Sequence, residues 1–282
     1  MKSDMTLLKA ELCAAGQAPD AGLDIARLAL VIAAMDCPEA DIKTYQAHLD
    51  DLAAASWAAL GKAMDAPPET VAGALASLIS GRYGYRGDVE NYDDMENANL
   101  IQVIERRRGL PVALGILYLH AGKALGLDIG GLSFPGHFLL HLQARDRAVI
   151  LDPFNGGELK STPDLLALLR QMEGPQARLM PEFYERVTSR DVLMRLQNNI
   201  LARAMQSQKY DRAREVITRM TWLAPARPGF RFELGRIEIL AGHMAAAATA
   251  FSDCMEMAAA RGEMRMAGLA EEALRRLKTR LN

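Results

Sequence analysis

Apolar residues recur at helical spacing through the first 80 positions. Leu23, Ala26, Leu30 and Ala33, with Leu28 and Val31, predict a helix that stops before Pro38. Ile42, Tyr45, Leu49 and Leu52 predict a second, starting after Asp41. Pro67-Pro68 breaks the pattern, and Val71, Leu75 and Leu78 begin a third, ending near Gly81.

The pattern then changes. Residues 81–100 are dense in Gly, Asn and Asp, which is loop chemistry. A helix over about Ala98 to Arg107 is cut at Gly109-Leu110-Pro111. The next runs through Val112-Ala113-Leu114-Gly115-Ile116-Leu117-Tyr118-Leu119 to Gly126, and being apolar on nearly all sides it should be buried. Leu127 to Ser133, Gly136 to Gln143 and Arg147 to Asp152 read as strands, the last two joined by a link at 144–146. Ser161-Thr162-Pro163 opens a short helix through Leu169. The middle is thus a helix packed on a small antiparallel sheet.

Near the end the pattern repeats itself. Tyr210-x-x-Ala213 returns as Met244-x-x-Ala247 at an offset of 34 residues, and Ile217 matches Phe251 in that frame. Leu223-Ala224-Pro225 stands where a helix pair ends, and Gly235 and Gly242 flank the next turn zone. A 34-residue helix–turn–helix period is the tetratricopeptide signature. The chain therefore divides into an N-terminal helical region (1–80), a core (81–182) and helical repeats (183–282).

Alanine supports this division, with 22 in residues 1–100, 7 in 101–200 and 17 in 201–282. Charge is uneven as well, at −6 for residues 1–80, −2 for 81–182 and +6 for 183–282. Half of the 282 residues are hydrophobic, enough for a packed core and too many for a disordered chain. No apolar run is long enough to span a membrane, and Met1-Lys2-Ser3-Asp4 lacks the layout of a secretory leader. The only cysteines are Cys13, Cys37 and Cys254, too few for a disulfide scaffold. A cytoplasmic setting is the expectation.

Candidate chemistry gathers in the core. Pro135-Gly136-His137-Phe138 opens one expected strand and Leu151-Asp152-Pro153-Phe154-Asn155 closes the next, so His137 and Asp152 can be hydrogen-bonded neighbours. An Asp on one imidazole nitrogen fixes the tautomer and leaves the other as a base. His141 lies four residues after His137, on the same face of a regular strand, and with Asp152 makes a conceivable but weakly supported metal set. His120 is expected to pack inside its helix. Arg106-Arg107-Arg108 stands before a helix N-terminus, where it can either hold an anion or pair with Glu105, Asp93, Asp94 and Glu96. The core's charge and the absence of an aromatic-interleaved basic stripe argue against nucleic acid.

Glu105 to Pro111, the Leu-Tyr-Leu helix, Pro-Gly-His-Phe-Leu and Asp-Pro-Phe-Asn-Gly-Gly together resemble the bacterial SirB-type family. Gly84-Tyr85-Arg86-Gly87 and Asn97-Ala98-Asn99-Leu100 fit the same pattern. The resemblance implies an α+β fold, mostly helical: a papain- or transglutaminase-like core, a helical head and a tetratricopeptide-like tail. In catalytic relatives of that core a Cys opens the buried helix, with His and Asp on adjoining strands. His137 and Asp152 match the His and Asp, and the nucleophile position falls near Pro111. No residue from Arg106 to Tyr118 is Cys, Ser or Thr.

The expectation is a non-catalytic module, binding or regulatory, in which His137 and Asp152 are the remnant of a triad. Glu105, Arg106, Arg107, Arg108, Pro111 and Asn155 are its candidate binding residues. No cofactor or metal is expected, and the expected partner is an unidentified protein or peptide, not a membrane. The rival expectation is a hydrolase or acyltransferase that uses the His137–Asp152 pair without a Cys, in one version with Glu105 as a second acid.

Overall fold

The computed structural model describes residues 4–61 and 65–281. Met1-Lys2-Ser3, which carry most of the reading against a leader, lie outside them. The chain forms two compact units, Met1–Leu8 with Asp20–Leu196 and Lys9–Pro19 with Gln197–Asn282. Helix α1 (Met5–Gln17) contributes residues to both.

In the first unit, α2 (Ile25–Asp36) is capped by the Asp24 carboxylate on the Arg27 amide and stops at Cys37, before Pro38. It is buried from Ile25 to Met35 except at Arg27, which makes it a central element. Asp41 caps α3 (Ile42–Leu60) in the same way, and Leu49, Leu52, Ser56 and Leu60 form its buried stripe. After Pro67, α4 (Pro68–Ala76) runs on into a π-helical turn, Ser77–Arg82.

The loop that follows is tied down by a 3-10 turn, Met95–Ala98, and by Asn99, whose side chain accepts the Ile101 and Gln102 amides to start α5 (Leu100–Arg106). Strands β1 (Arg86–Gly87) and β2 (Arg108–Gly109) pair in parallel, a two-residue ladder with no periodicity to reveal it.

Helix α6 (Pro111–Ala124) is buried from Pro111 to Leu119, as its apolar pattern predicts. Leu114, Ile116, Leu117 and Leu119 are at most 1% exposed, and each such side chain contributes roughly 1.5–3 kcal/mol. That burial outweighs the weak helix propensity of Val112, Gly115 and Tyr118.

One antiparallel sheet follows, in the order β3 (Asp128–Gly131), β4 (Leu140–Ala144), β5 (Arg147–Asp152) and β6 (Glu158–Leu159). Leu140 pairs with Leu151 and Asp152 with Glu158. The strand expected over 136–143 begins only at Leu140. Gly136 sits at φ +69° and the His137 amide turns back onto the Pro135 carbonyl, so His137 lies in a loop before the strand. Ser161 and Asp164 form a capping box for α7 (Thr162–Glu173), whose Leu165 and Leu169 close a core with Leu132, Phe134 and Leu139. Helix α8 (Ser189–Gln206) bears Arg195 in its first half.

The second unit consists of the rest of α1 and α8 with α9 (Tyr210–Leu223), α10 (Pro228–Leu240), α11 (Met244–Ala260) and α12 (Met264–Leu281). The 34-residue offset is visible directly, since Tyr210 opens α9 and Met244 opens α11. Ala213 and Ala247 are both fully buried, and Ile217 and Phe251 are each 1% exposed. Leu223-Ala224-Pro225 closes α9, and Gly242 lies in the turn before α11. Gly235 is inside α10, where a Cβ would come within 2.7 Å of the Phe251 ring; the bare backbone lets that ring seat. Gly16 of α1 lies against the Trp222 carbonyl, and Lys9 Nζ stands 5.1 Å over the Trp222 ring. No helix among the described residues is long and apolar enough to cross a membrane.

Candidate functional site

The loop before β4 and the turn after β5 bring His137 and Asp152 together. His137 Nε2 lies 2.8 Å from Asp152 Oδ1, with His137 6% exposed and Asp152 fully buried. The same Oδ1 accepts the Phe154 amide at 3.1 Å and the Asn155 amide at 3.4 Å. Oδ2 accepts Asn155 Nδ2 at 2.8 Å and lies 3.7 Å from Lys160 Nζ. Burial pushes the Asp152 carboxyl up, but the hydrogen bond and charge of His137, with Asn155 and Lys160, outweigh it and hold the group below its ordinary value.

His137 is fixed from two further sides. Arg195 Nη2 donates to the Phe134 and His137 carbonyls at 2.8 and 2.6 Å, and its guanidinium lies 5.5 Å over the Phe138 ring. Phe154 meets the imidazole edge-on at 6.1 Å and Tyr92 at 5.6 Å, an aromatic run from the buried ring to a partly exposed one. Phe138 seats against Gly115, which places α6 directly behind the loop. Arg195 carries no signal in the sequence, because a helix 58 residues downstream of His137 supplies it.

Tyr118, on α6, is 1% exposed, and its hydroxyl has no hydrogen-bond partner among the described residues. Burial first, and then the negative charge of Asp152, push its phenol well above its ordinary value. It stays a neutral phenol at physiological pH.

The chemistry of the pair follows from its geometry. With Nε2–H donating to Asp152, Nδ1 keeps its lone pair, an assignment that rests on the partner of Nε2. That is how a base for a neighbouring thiol is held, yet α6 opens Pro111-Val112-Ala113-Leu114, with all four side chains buried. The three cysteines lie elsewhere. Cys13 is on α1, Cys254 is buried in α11, and Cys37 ends α2 with its sulfur 3.6 Å from Asn99 Nδ2 and 3.7 Å from Gln102 Nε2.

The metal set conceived from His137, His141 and Asp152 does not form. His141 Nδ1 is 2.7 Å from Arg186 Nη2 on half-exposed β4, whereas His137 sits in the loop before that strand. No group of three His, Cys, Asp or Glu among the described residues can hold a metal ion. His120 packs in α6 with Nε2 2.9 Å from the Leu49 carbonyl.

The arginine run engages its own surroundings. Arg106 donates to Asp94 at 3.1 Å, Glu96 at 2.8 Å and the Asn97 side chain, and lies 3.8 Å from buried Asp88. Arg108 reaches Glu90 at 3.1 Å and Asp88 at 3.8 Å. Arg107 caps α5 in the left-handed conformation, φ +57°, and its guanidinium bonds Tyr85 and lies 3.0 Å from His48 Nε2. Glu105 is exposed and accepts the Tyr45 hydroxyl, and no hydrogen bond or ion pair among the described residues joins it to His137 or Asp152. Of the partners expected for this run, Asp94 and Glu96 hold Arg106 while Glu105 bonds Tyr45 instead; Asp88 and Glu90, which the sequence does not point to, join through the pairing of β1 with β2. Of the remaining candidates, Asn155 joins the Asp152 cluster and Pro111 opens α6.

Residues 43–198 match the transglutaminase-like superfamily and residues 200–281 match the tetratricopeptide repeat. The chain belongs to the transglutaminase-like superfamily, in the SirB-type arrangement of that core followed by repeat helices.

Among its relatives is a UPF0162 protein of Xylella fastidiosa, 31% identical over 169 residues, which is 59% of this chain and 60% of the relative. A UPF0162 protein of Vibrio cholerae is 37% identical over 138 residues, 49% of this chain and 51% of that one. The F-box only protein 21 of mouse is 26% identical over 137 residues, 46% of this chain and 21% of the longer protein. The chain thus spans about three-fifths or less of the length of these relatives. No solved structure matches it.

Proposed function

We propose that this protein is a non-catalytic member of its superfamily that binds a protein or peptide partner, with the His137–Asp152 pair retained to hold the core together. The observation that carries this reading is the start of α6. Neither the lead-in nor the first turns of the helix that packs against the His137 loop hold a Cys, Ser or Thr from Arg106 to Tyr118, so this end of α6 offers the base no thiol or aliphatic hydroxyl to activate. Two features support a structural role for the pair. Asp152 divides its lone pairs between His137 and the turn Phe154–Asn155, and Arg195 pins the His137 carbonyl. Tetratricopeptide repeats present helical surfaces suited to protein partners, which supports binding as the task of the tail.

A second reading, a hydrolase or acyltransferase without a Cys, draws on one observation. Asp152 occupies Nε2 and leaves Nδ1 without a hydrogen-bond partner among the described residues. Turnover of amide, ester and transamidation substrates by the wild type and by His137→Ala separates the two. The binding reading expects both proteins to match buffer alone. Turnover that His137→Ala removes from a folded protein contradicts it.

A further inference from the structure

We propose that the cavity between the entry to α2 and the second half of α6 captures a small uncharged aldehyde as an imine on the Lys123 amine. This is a task of the first unit beyond partner binding, at a site lined by neither His137 nor Asp152.

The cavity encloses about 380 Å³ within the first unit, inside the range of small-molecule sites, ~300–1,000 Å³. Residues 21–26 form one wall, and the α6 face that carries Leu119, His120 and Lys123 forms the other. Leu23, Ile25, Ala26 and Leu119 make the lining apolar and are each at most 8% exposed. The first turn of α8 braces both walls. Arg190 Nε bonds Asp20 at 2.8 Å just ahead of the first, and Ser189 Oγ accepts Lys123 Nζ at 3.2 Å on the second.

Lys123 is the unusual group there. It reaches solvent, it donates to a neutral hydroxyl, and no ion pair among the described residues joins it to a carboxylate. Loss of water around the amine pushes it below its ordinary value, and the more distant charge of Asp24 only partly offsets this. More of the amine is therefore the free base, the form that attacks a carbonyl carbon. His120 lies three residues earlier on the same helix face. A carbonyl only accepts, so His120 Nε2–H donates to Leu49 and Nδ1 keeps a lone pair for a proton in transit.

The step balances without an oxidant or reductant. The Lys123 nitrogen bonds to the aldehyde carbon, and His120 carries protons from nitrogen to oxygen. The oxygen leaves as water with both amine hydrogens, and C=N replaces C=O. Asp24 decides which aldehyde enters, since its carboxylate lines the same cavity with Oδ1 on the Arg27 amide. An aldehyde that bears a carboxylate or phosphate is repelled, whereas an uncharged one gains from leaving water for apolar walls.

The test incubates the full-length protein at neutral pH with benzaldehyde or with glyoxylate, traps imines with cyanoborohydride and locates them by peptide mass mapping. Benzaldehyde should mark Lys123 roughly tenfold faster than any other lysine, because free base and cavity binding both favour it. The rate should saturate, and benzyl alcohol, which matches benzaldehyde in shape but cannot react, should suppress it. Glyoxylate should mark Lys123 no faster than the other lysines, and Asp24→Asn, which keeps a helix cap, should raise that rate severalfold. Lys123→Arg should lose the mark with an unchanged circular dichroism spectrum. Labelling of Lys123 that rises linearly with benzaldehyde and ignores benzyl alcohol overturns the cavity as a binding site. Equal labelling of all lysines overturns the reactive amine. An Asp24→Asn variant that still excludes glyoxylate overturns the charge selection. Each of these failures leaves partner binding by the tail untouched.

Discussion

Asp152 holds His137 through Oδ1 at 2.8 Å while the same oxygen caps the turn after β5 on the amides of Phe154 and Asn155. One buried carboxylate thus fixes both the loop before β4 and the turn after β5. Its removal leaves an imidazole, two amides and an amide side chain without their acceptor. Asp152→Ala should cost about 3–5 kcal/mol of unfolding free energy, the range for breaking a buried hydrogen-bonded pair. Asp152→Asn, which keeps an acceptor oxygen, should cost less. Urea unfolding measures both, and losses under about 1 kcal/mol in both variants would show that the carboxylate does not hold the loop and the turn together.

The acid limb of stability should have two steps. His48 is held below its ordinary value by burial and then by Arg107, with Asp51 opposing. Its Nε2 lies within 2.6 Å of the Tyr85 hydroxyl and 3.0 Å of Arg107, contacts suited to a neutral ring. A depressed folded pKa means that this stabilisation is full above the unfolded value, near 6.5, and is lost as pH falls below it. Asp152 is depressed from 3.8, so its share persists to lower pH and is lost only as pH falls through the folded value. Tm measured across acid pH should therefore decline in two stages, and His48→Gln should remove the first. A His48→Gln profile that follows the wild type through both stages would disprove this assignment.

Arg106 anchors the loop before α5, so Arg106→Ala should speed hydrogen exchange of the amides in 88–97 and cost about 1 kcal/mol, discounted because Asp94 and Glu96 are solvent-screened. Arg108→Ala should do less, since Glu90 is 76% exposed. Inorganic phosphate should not raise Tm. A phosphate-dependent rise that Arg106→Ala abolishes would show instead that the arginine run is an anion site.

In the repeats, Gly235→Ala gains about 1 kcal/mol of helix propensity yet should lower stability, because its Cβ meets the Phe251 ring. Phe251→Leu is costly by itself, but in the Gly235→Ala background its effect should be smaller. Thermal unfolding of the four proteins gives the coupling, and additive losses would mean that the two positions do not touch.

These relationships explain what the sequence reveals and what it hides. The ends of α2 and α3 and the buried course of α6 follow from local rules: an Asp cap, a Pro stop and an apolar run too even for a surface helix. The 34-residue offset is legible because Ala213 and Ala247 occupy equivalent buried sites. The strand expected from Gly136 fails because a left-handed glycine after Pro135 turns the chain, and the alternation of His137 and His141 loses its meaning with it. The pairing of His137 with Asp152 holds although the adjoining strands that suggested it do not: His137 reaches Asp152 from the loop before β4. Arg195, Asp88 and the seating of α1 on Trp222 are not legible, since each contact joins parts of the chain that no period or motif connects.

The most direct test of the central claim is a double-mutant cycle between His137 and Asp152, read by unfolding free energy and by acyl-transfer turnover on the same four proteins. If the pair is structural, stability should show a coupling of about 1–3 kcal/mol, with no turnover above buffer in any of the four. Negligible coupling in stability, together with a wild-type turnover that either mutation abolishes, would contradict the account.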